Sequence, residues 1–251
     1  MMMAKAEAVS SDGAHVYVTA GNGDALVAYA RDVSIGTLQH VQTVLDDMDG
    51  VDGLNTVGSV TLSPDGAHVY TTSAGESAIA VFSRDAQTGM LTFVEAELEG
   101  VAGVQGLEAD HESVVTPDGS HVYVASPGRE PLIPGRISLF ARDASSGALT
   151  FIEAVTDDVD GVTGLDGVSS VTVSPDGAHV YTTAYRDDAV VVFDRDAATG
   201  ALRFVEAQFD GVDEVDGLGT ALRSAVTPDA VHAYVVGLLP AKVAVFELAL
   251  P

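Results

Sequence analysis

No cysteine occurs among the 251 residues, which removes disulfides, zinc–thiolate sites and thiol nucleophiles together. Tryptophan is absent too, and aromatic residues make up only 6%, which argues against a sugar-binding lectin surface. Basic side chains are scarce: 11 Lys+Arg face 37 Asp+Glu, a formal charge of −26. Such a chain cannot neutralise a phosphate backbone or an anionic bilayer, so nucleic-acid and membrane partners are not expected. No apolar run approaches the roughly 18–20 residues needed to span a bilayer. Met1 to Glu7 carries one Lys and no apolar stretch of secretory length, so a signal peptide is expected to be absent or already trimmed, with a secreted or cell-surface setting slightly favoured. Gly-x-Ser-x-Gly, Gly-Lys-Ser/Thr, His-Glu-x-x-His and dinucleotide fingerprints are all missing. What remains is 47% hydrophobic, enough to bury a sizeable core.

That hydrophobic content is organised as repeats. Ser11-Asp12-Gly13-Ala14-His15-Val16-Tyr17 returns as Pro64 to Tyr70, Pro117 to Tyr123 and Pro175 to Tyr181, and once more as Pro228 to Tyr234 with Ala230 in place of Gly. The aspartates at 12, 65, 118, 176 and 229 are spaced by 53, 53, 58 and 53 residues. The chain is five copies of one unit.

Within a unit the apolar residues fall into short runs separated by turn residues. In the fourth copy Ser170 to Val173 leads into Ser-Pro-Asp-Gly, where Pro suits the second turn position and Gly tolerates positive φ. His179 to Thr183, Ala189 to Phe193 and Leu202 to Ala207 follow as further strands. Four antiparallel strands repeated radially describe the blade of a β-propeller. The expected fold is all-β, a five-bladed β-propeller of four-stranded antiparallel blades, with units at about 6–46, 56–99, 109–157, 167–210 and 220–248. The last unit stops after its third strand. It is a three-stranded blade, or part of a longer chain, or an edge at Val243 to Phe246 that pairs with another copy. Third-strand rings at Tyr29, Phe82, Phe140, Phe193 and Phe246, with Phe93, Phe151 and Phe204 on the fourth strand and His40 substituting in the first copy, are assigned to packing between blades.

Ser-Pro-Asp-Gly-x-His-Val-Tyr followed by an Ala-Val-x-Val-Phe strand resembles the YVTN-type repeat of the lactonase-family β-propellers, over essentially residues 6–248. The resemblance implies the propeller fold and a lactone-hydrolysing activity that uses acidic, His and Arg residues in the central channel. Known members close with seven blades, whereas five are read here.

On the face carrying the Pro-Asp-Gly turns everything is repeated. His15, His68, His121, His179 and His232 are therefore read as turn-stabilising or surface residues, since one active site needs no five-fold copy of its histidine. Arg31-Asp32, Arg84-Asp85, Arg142-Asp143 and Arg195-Asp196 are read as structural or solvated ion pairs worth on the order of 0–1 kcal/mol each. The opposite face carries long loops, where propellers generally place their binding surface. Asp47 and Asp49 in the first loop, and Asp158 and Asp160 in the third, alternate around Gly and offer the hard oxygen ligands that Ca²⁺ requires. The competing and favoured reading is that Asp in turns hydrogen-bonds its own backbone. Acid spread through every unit also suits a high-salt setting, where counterions screen self-repulsion.

A symmetric scaffold builds one site only where its symmetry breaks. Aligning first strands on their turns places Gly58-Ser59, His111-Glu112, Ser169-Ser170 and Leu222-Arg223 together. Glu112 and His111 are candidates to activate a water, and Arg223 to polarise a carbonyl, beside the alternative of an Arg–Glu pair that only plugs the channel. Arg129, Arg136, Tyr185, Arg186 and Asp187, in the second-to-third-strand loops of the third and fourth units, are candidates to hold an anionic group of a small-molecule or protein ligand. The leading functional reading is a non-catalytic binding scaffold using the long-loop face; the alternative is a lactone hydrolase.

Overall fold

Turn residues at fixed intervals cut the chain into runs too short for anything but strands, and the computed structural model, which describes residues 3–109, 112–129 and 132–248, places them in five antiparallel sheets. Blade one comprises β1 (Ala4–Val9), β2 (His15–Ala20), β3 (Ala25–Arg31) and β4 (Leu38–Leu45), and blade two β5 (Val57–Leu62), β6 (His68–Ser73), β7 (Ala78–Arg84) and β8 (Leu91–Leu98). Blade three contains β9 (Glu112–Val115), β10 (His121–Ser126), β11 (Arg136–Arg142) and β12 (Leu149–Thr156); blade four β13 (Val168–Val173), β14 (His179–Ala184), β15 (Ala189–Arg195) and β16 (Leu202–Phe209). Blade five has β17 (Ala221–Val226), β18 (His232–Leu238) and β19 (Ala241–Glu247), and no fourth strand among the described residues. Strand order follows sequence order in every sheet, as up-and-down blades require.

Apolar clusters lie between blades. One joins Tyr17, Leu26 and Val44 to Val60, Val69 and Phe82; others link blades two and three, three and four, and four and five. The paired rings first work inside a blade: Phe82 meets Phe93, Phe140 meets Phe151 and Phe193 meets Phe204 edge-on at 5.6–6.0 Å, while Phe82 also faces the preceding sheet. A register shift precedes each of these third-strand rings at the same place in the repeat.

The repeated histidines and arginines differ from their sequence reading. His15, His68 and His121 are buried, and the arginines do not pair with the aspartate that follows them. Instead Arg142 at the end of β11 reaches back into blade two. Its Nη2 bonds the Asp65 carboxylate at 3.0 Å and His68 Nδ1 at 2.8 Å, and its Nε donates to the Tyr70 hydroxyl at 2.7 Å. Tyr70 in turn donates to the Gly147 carbonyl of blade three at 2.9 Å. Arg84 makes the same contacts to Asp12, His15 and Tyr17, and Arg195 bonds Asp118 and His121. Each is an inter-blade latch. Glycine is obligatory at its centre, because a Cβ on Gly147 would come within 2.2 Å of the His68 ring.

These latches set the ionisation of their members. Burial and the Arg142 charge lower the His68 pKa, and burial drives Tyr70 up to about 12. Burial alone would raise Asp65, but hydrogen bonds from the Ser63 hydroxyl, the Ala67 N–H and Arg142 outweigh it and bring the carboxyl down to about 2.

Candidate functional site

The first strand of every blade is innermost, and β1, β5, β9, β13 and β17 pack side by side in succession. Ser59, Glu112, Ser170 and Arg223 face Thr72, Ala125, Thr183 and Val236 on their second strands, so they occupy one level of the axis. In blades two and four that level is closed locally, Ser59 on Thr72 at 2.7 Å and Ser170 on Thr183 at 2.9 Å. In blades three and five it carries opposite charges, and Arg223 Nη1 donates to Glu112 Oε1. The pair is unevenly buried: the Glu112 side chain is 25% exposed and Arg223 61%. One of the five guanidinium N–H donors is used there, and the others meet no protein acceptor among the described residues.

Two cavities meet at this pair. The outer one, about 490 Å³, is bounded by Glu112, Arg223, Lys5, Arg129, Tyr185 and Arg186 among others. The inner one, about 360 Å³, runs past Ser59 and Thr61 and shares Lys5, Glu112 and Arg223. Four of the eleven basic residues thus gather around one cavity of a strongly acidic chain.

The sequence-nominated residues separate into two groups. Glu112, Arg223, Arg129, Tyr185 and Arg186 line the outer cavity together. Arg186 stacks over Tyr185 with 5.0 Å to the ring centre and bonds Asp166 and the Pro127 carbonyl, each at 3.0 Å, which fixes its direction. Arg136 and Asp187 do not line that cavity. Arg136 pairs with Glu108 at 3.1 Å, and the Asp187 carboxylate, its pKa raised by burial, accepts the Asp166 N–H at 2.9 Å. His111 lies outside the described residues. Lys5 was not nominated, yet the repeat could have found it: seven residues before each turn aspartate stand Lys5, Gly58, His111, Ser169 and Leu222.

The acidic loops have a structural device of their own. Asp46, Glu99, Asp157 and Asp210 each accept the backbone N–H of a leucine eight residues later, at 2.8–2.9 Å, and those leucines, 54, 107, 165 and 218, are fully buried. Asp47, Asp49, Asp158 and Asp160 are exposed turn residues with φ between 53° and 58°, and their carboxylates take no hydrogen bond among the described residues. Among the described residues, three carboxylates whose oxygens do approach within 4.8 Å of one another are those of Asp46, Asp52 and Glu76. Burial raises the pKa of Asp46 and of Glu76.

Comparison with known families now decides the relationship. The family described as lactonase, 7-bladed beta-propeller matches residues 7–125 and 114–213. The chain belongs to this family. Membership in the lactonase propellers accounts for the repeat and for the radial order of the sheets. No curated protein matches the chain at the sequence level. Among solved structures, the Pseudomonas aeruginosa periplasmic gluconolactonase superposes with a TM-score of 0.72 at 21% identity, over 97% of this chain and 66% of that one. Kuenenia stuttgartiensis hydrazine synthase gives 0.69 at 18%, covering 98% and 64%, and Saccharomyces cerevisiae Sqt1 gives 0.65 at 10%, covering 99% and 62%. The lactonase-family chain therefore spans less than two thirds of each of these structures. Proteins so different in name share the fold, so the chemistry has to be argued from the axial residues.

Proposed function

We propose that the protein hydrolyses a lactone in the axial cavity, taking a substrate with an anionic group. The observation that carries this reading is the meeting of Glu112 and Arg223, from blades two steps apart, at the junction of the two cavities and beneath Lys5, Arg129 and Arg186. Family membership favours this hydrolase over the non-catalytic scaffold that the sequence put first.

The chemistry needs a base, a polarising cation and a place for the substrate's charge. Glu112 takes a proton from a water whose oxygen attacks the ring carbonyl. The spare donors of Arg223 stabilise the oxyanion that forms. The ring C–O bond then breaks, and the proton returns from Glu112 to the departing alkoxide, giving a hydroxy acid. Arg129 and the Tyr185–Arg186 stack stand at the outer rim, where they bind the anionic group and orient the ring. Arg223, in salt-bridge contact with Glu112, fixes the direction of the carboxylate that serves as the base.

Purified protein assayed against a panel of sugar-derived and acyl lactones, with and without carboxylate or phosphate substituents, tests the reading. Glu112→Gln is expected to lower kcat by on the order of 10²-fold or more, and Arg223→Ala by a similar factor. Arg129→Ala is expected to raise KM for anionic lactones with little effect on kcat. Absence of turnover on every lactone, or full activity in Glu112→Gln, overturns it.

A further inference from the structure

Three residues border both axial cavities: Glu112, Arg223 and Lys5. The first two act in the hydrolysis proposed above, and Lys5 has no part in it. We propose that Lys5 is a substrate-contacting residue of this site, whose ammonium group binds the carboxylate that ring opening creates. The inference rests on the lactone reading and deepens it, because it names the group that recognises the acid formed from any lactone, whether or not the ring carries an anionic substituent.

Two features of the first blade aim Lys5 at the junction of the cavities. Ala4 faces Ala20 and Glu7 faces Val18, so Lys5 and Ala6 together stand opposite Thr19. A bulge of this kind turns a side chain out of the regular alternation of a strand. The stem of Lys5 then lies along Gly21, in the tight turn Gly21–Gly23 that follows β2: a Cβ on Gly21 would come within 3.1 Å of Lys5 Cγ and 3.2 Å of its Cε. Glycine holds this place only in the blade that has the lysine, and Ala74, Pro127, Tyr185 and Leu238 hold it in the others. At the end of the stem the ammonium group makes no hydrogen bond or ion pair among the described residues. Lys242, the other lysine, is by contrast held by Asp216.

The change of charge during the reaction gives this ammonium group its task. Before attack, Glu112 and Arg223 neutralise one another. Addition of water, cleavage of the ring C–O bond and return of the proton from Glu112 to the alkoxide leave a carboxylic acid, which releases its proton to solvent. The product carboxylate and Glu112 then face a single guanidinium, and Glu7 on the wall of the inner cavity adds further negative charge. Like charges at this range repel. Lys5 is the second cation of the junction: Arg223 keeps the carboxylate oxygen that was the oxyanion, and the ammonium group takes the oxygen that came from water. Arg129 and Arg186 border the outer cavity and not the inner one, so they serve a substituent rather than the reacting carboxyl.

Lys5 and Lys242 are the only lysines in the sequence, so reductive methylation with isotope-labelled formaldehyde gives each its own methyl signal in NMR spectra, assigned with Lys242→Arg. Gluconate, the acid of a neutral sugar lactone, is the probe. Its titration is expected to shift the Lys5 signal saturably and to leave the Lys242 signal in place. Lys5→Met keeps the length of the stem and is expected to weaken gluconate binding about tenfold, the loss of one charge-assisted hydrogen bond, and to lower kcat/KM for neutral and anionic lactones alike. Lys5→Arg is expected to restore most of the binding, and Gly21→Ala, whose methyl displaces the stem, to weaken it less than Lys5→Met does. No saturable binding of gluconate, a Lys5 signal that stays in place while gluconate binds, or wild-type affinity in Lys5→Met overturns the inference. Lactone turnover by the wild type together with any of these results overturns the inference alone. A saturable shift at Lys5 in a protein that opens no lactone overturns the hydrolase reading alone and supports Lys5 as the carboxylate-binding group.

Discussion

The joint between blades two and three and the joint between blades four and five are built from the same repeat, yet only the first is latched. Arg142 ends β11 and inserts its guanidinium among Asp65, His68 and Tyr70 with its side chain 1% exposed. At the same place after β19 stands Leu248, so Asp176, His179 and Tyr181 keep their positions without an arginine. His179 leans instead toward Asp194 of its own blade at 3.4 Å. A propeller's apolar faces bring blades together through shared burial, which is non-directional. Orientation and register at each joint are set by the polar latch, because a buried guanidinium costs free energy unless several acceptors meet it at once.

Breaking the complete latch has the largest expected effect. Arg142→Leu, which copies the natural residue 248 into blade three, is expected to destabilise the protein by roughly 2–4 kcal/mol in urea unfolding, because the buried acceptors lose their partner. An unchanged midpoint means that the latch follows packing rather than setting it. Tyrosine substitutions at the two joints sharpen the contrast. Tyr70→Phe removes a hydroxyl that bonds both Gly147 and Arg142 and is expected to cost about 1–3 kcal/mol, while Tyr181→Phe costs close to nothing. Equal costs erase the distinction between the joints.

Installing the missing part is the reverse experiment. Leu248→Arg places a guanidinium within reach of Asp176 and Tyr181, and a gain of about 1 kcal/mol is expected, small because Asp176 is exposed and His179 only partly buried there. The acid dependence of the latch is the smallest effect. The Asp65 pKa is lowered from 3.8 to about 2 and that of His68 lies below 6.5. A depressed pKa in the folded state means that the unfolded chain binds the proton more readily, so both contributions are complete above pH 6.5 and fall with pH. The histidine part is lost below pH 6.5, and the aspartate part between pH 3.8 and 2. Burial-raised carboxylates such as Asp46 and Glu76 act in the opposite sense, so the measurement is a difference. Asp65→Asn is expected to flatten the loss of thermal midpoint between pH 4 and 2 relative to the wild type.

Much of the scaffold was readable before any coordinates. The fourth blade's predicted strands reappear lengthened by one or two residues at their ends, and Glu112 and Arg223 do share a level because the turn aspartates fix the alignment. The latches were not readable. Asp-x-x-His-x-Tyr and Arg-Asp recur visibly, but the neighbour in sequence, Asp143, was the natural partner to assign to Arg142, while its true partners lie more than 70 residues earlier. Lys5 escaped for another reason: a lone lysine near the start of the chain has no visible equivalent until the strands are aligned backward from their turns. Arg136 and Asp187 illustrate the converse, since a charged loop residue has the same sequence signature whether it faces a cavity or a neighbouring backbone.

The sequence alone determined the number of units, the strands within them, the acidic surface and the levels at which symmetry is broken. All of these follow from local turn chemistry and a period of two along each strand. Only the tertiary structure decided which charges meet: that Arg142 belongs to blade two's aspartate, that Glu112 reaches Arg223 across the axis, and that His179 turns to Asp194 of its own blade. Ion pairs and cavities depend on distances between segments far apart in the chain, and packing of one blade against the next sets those distances.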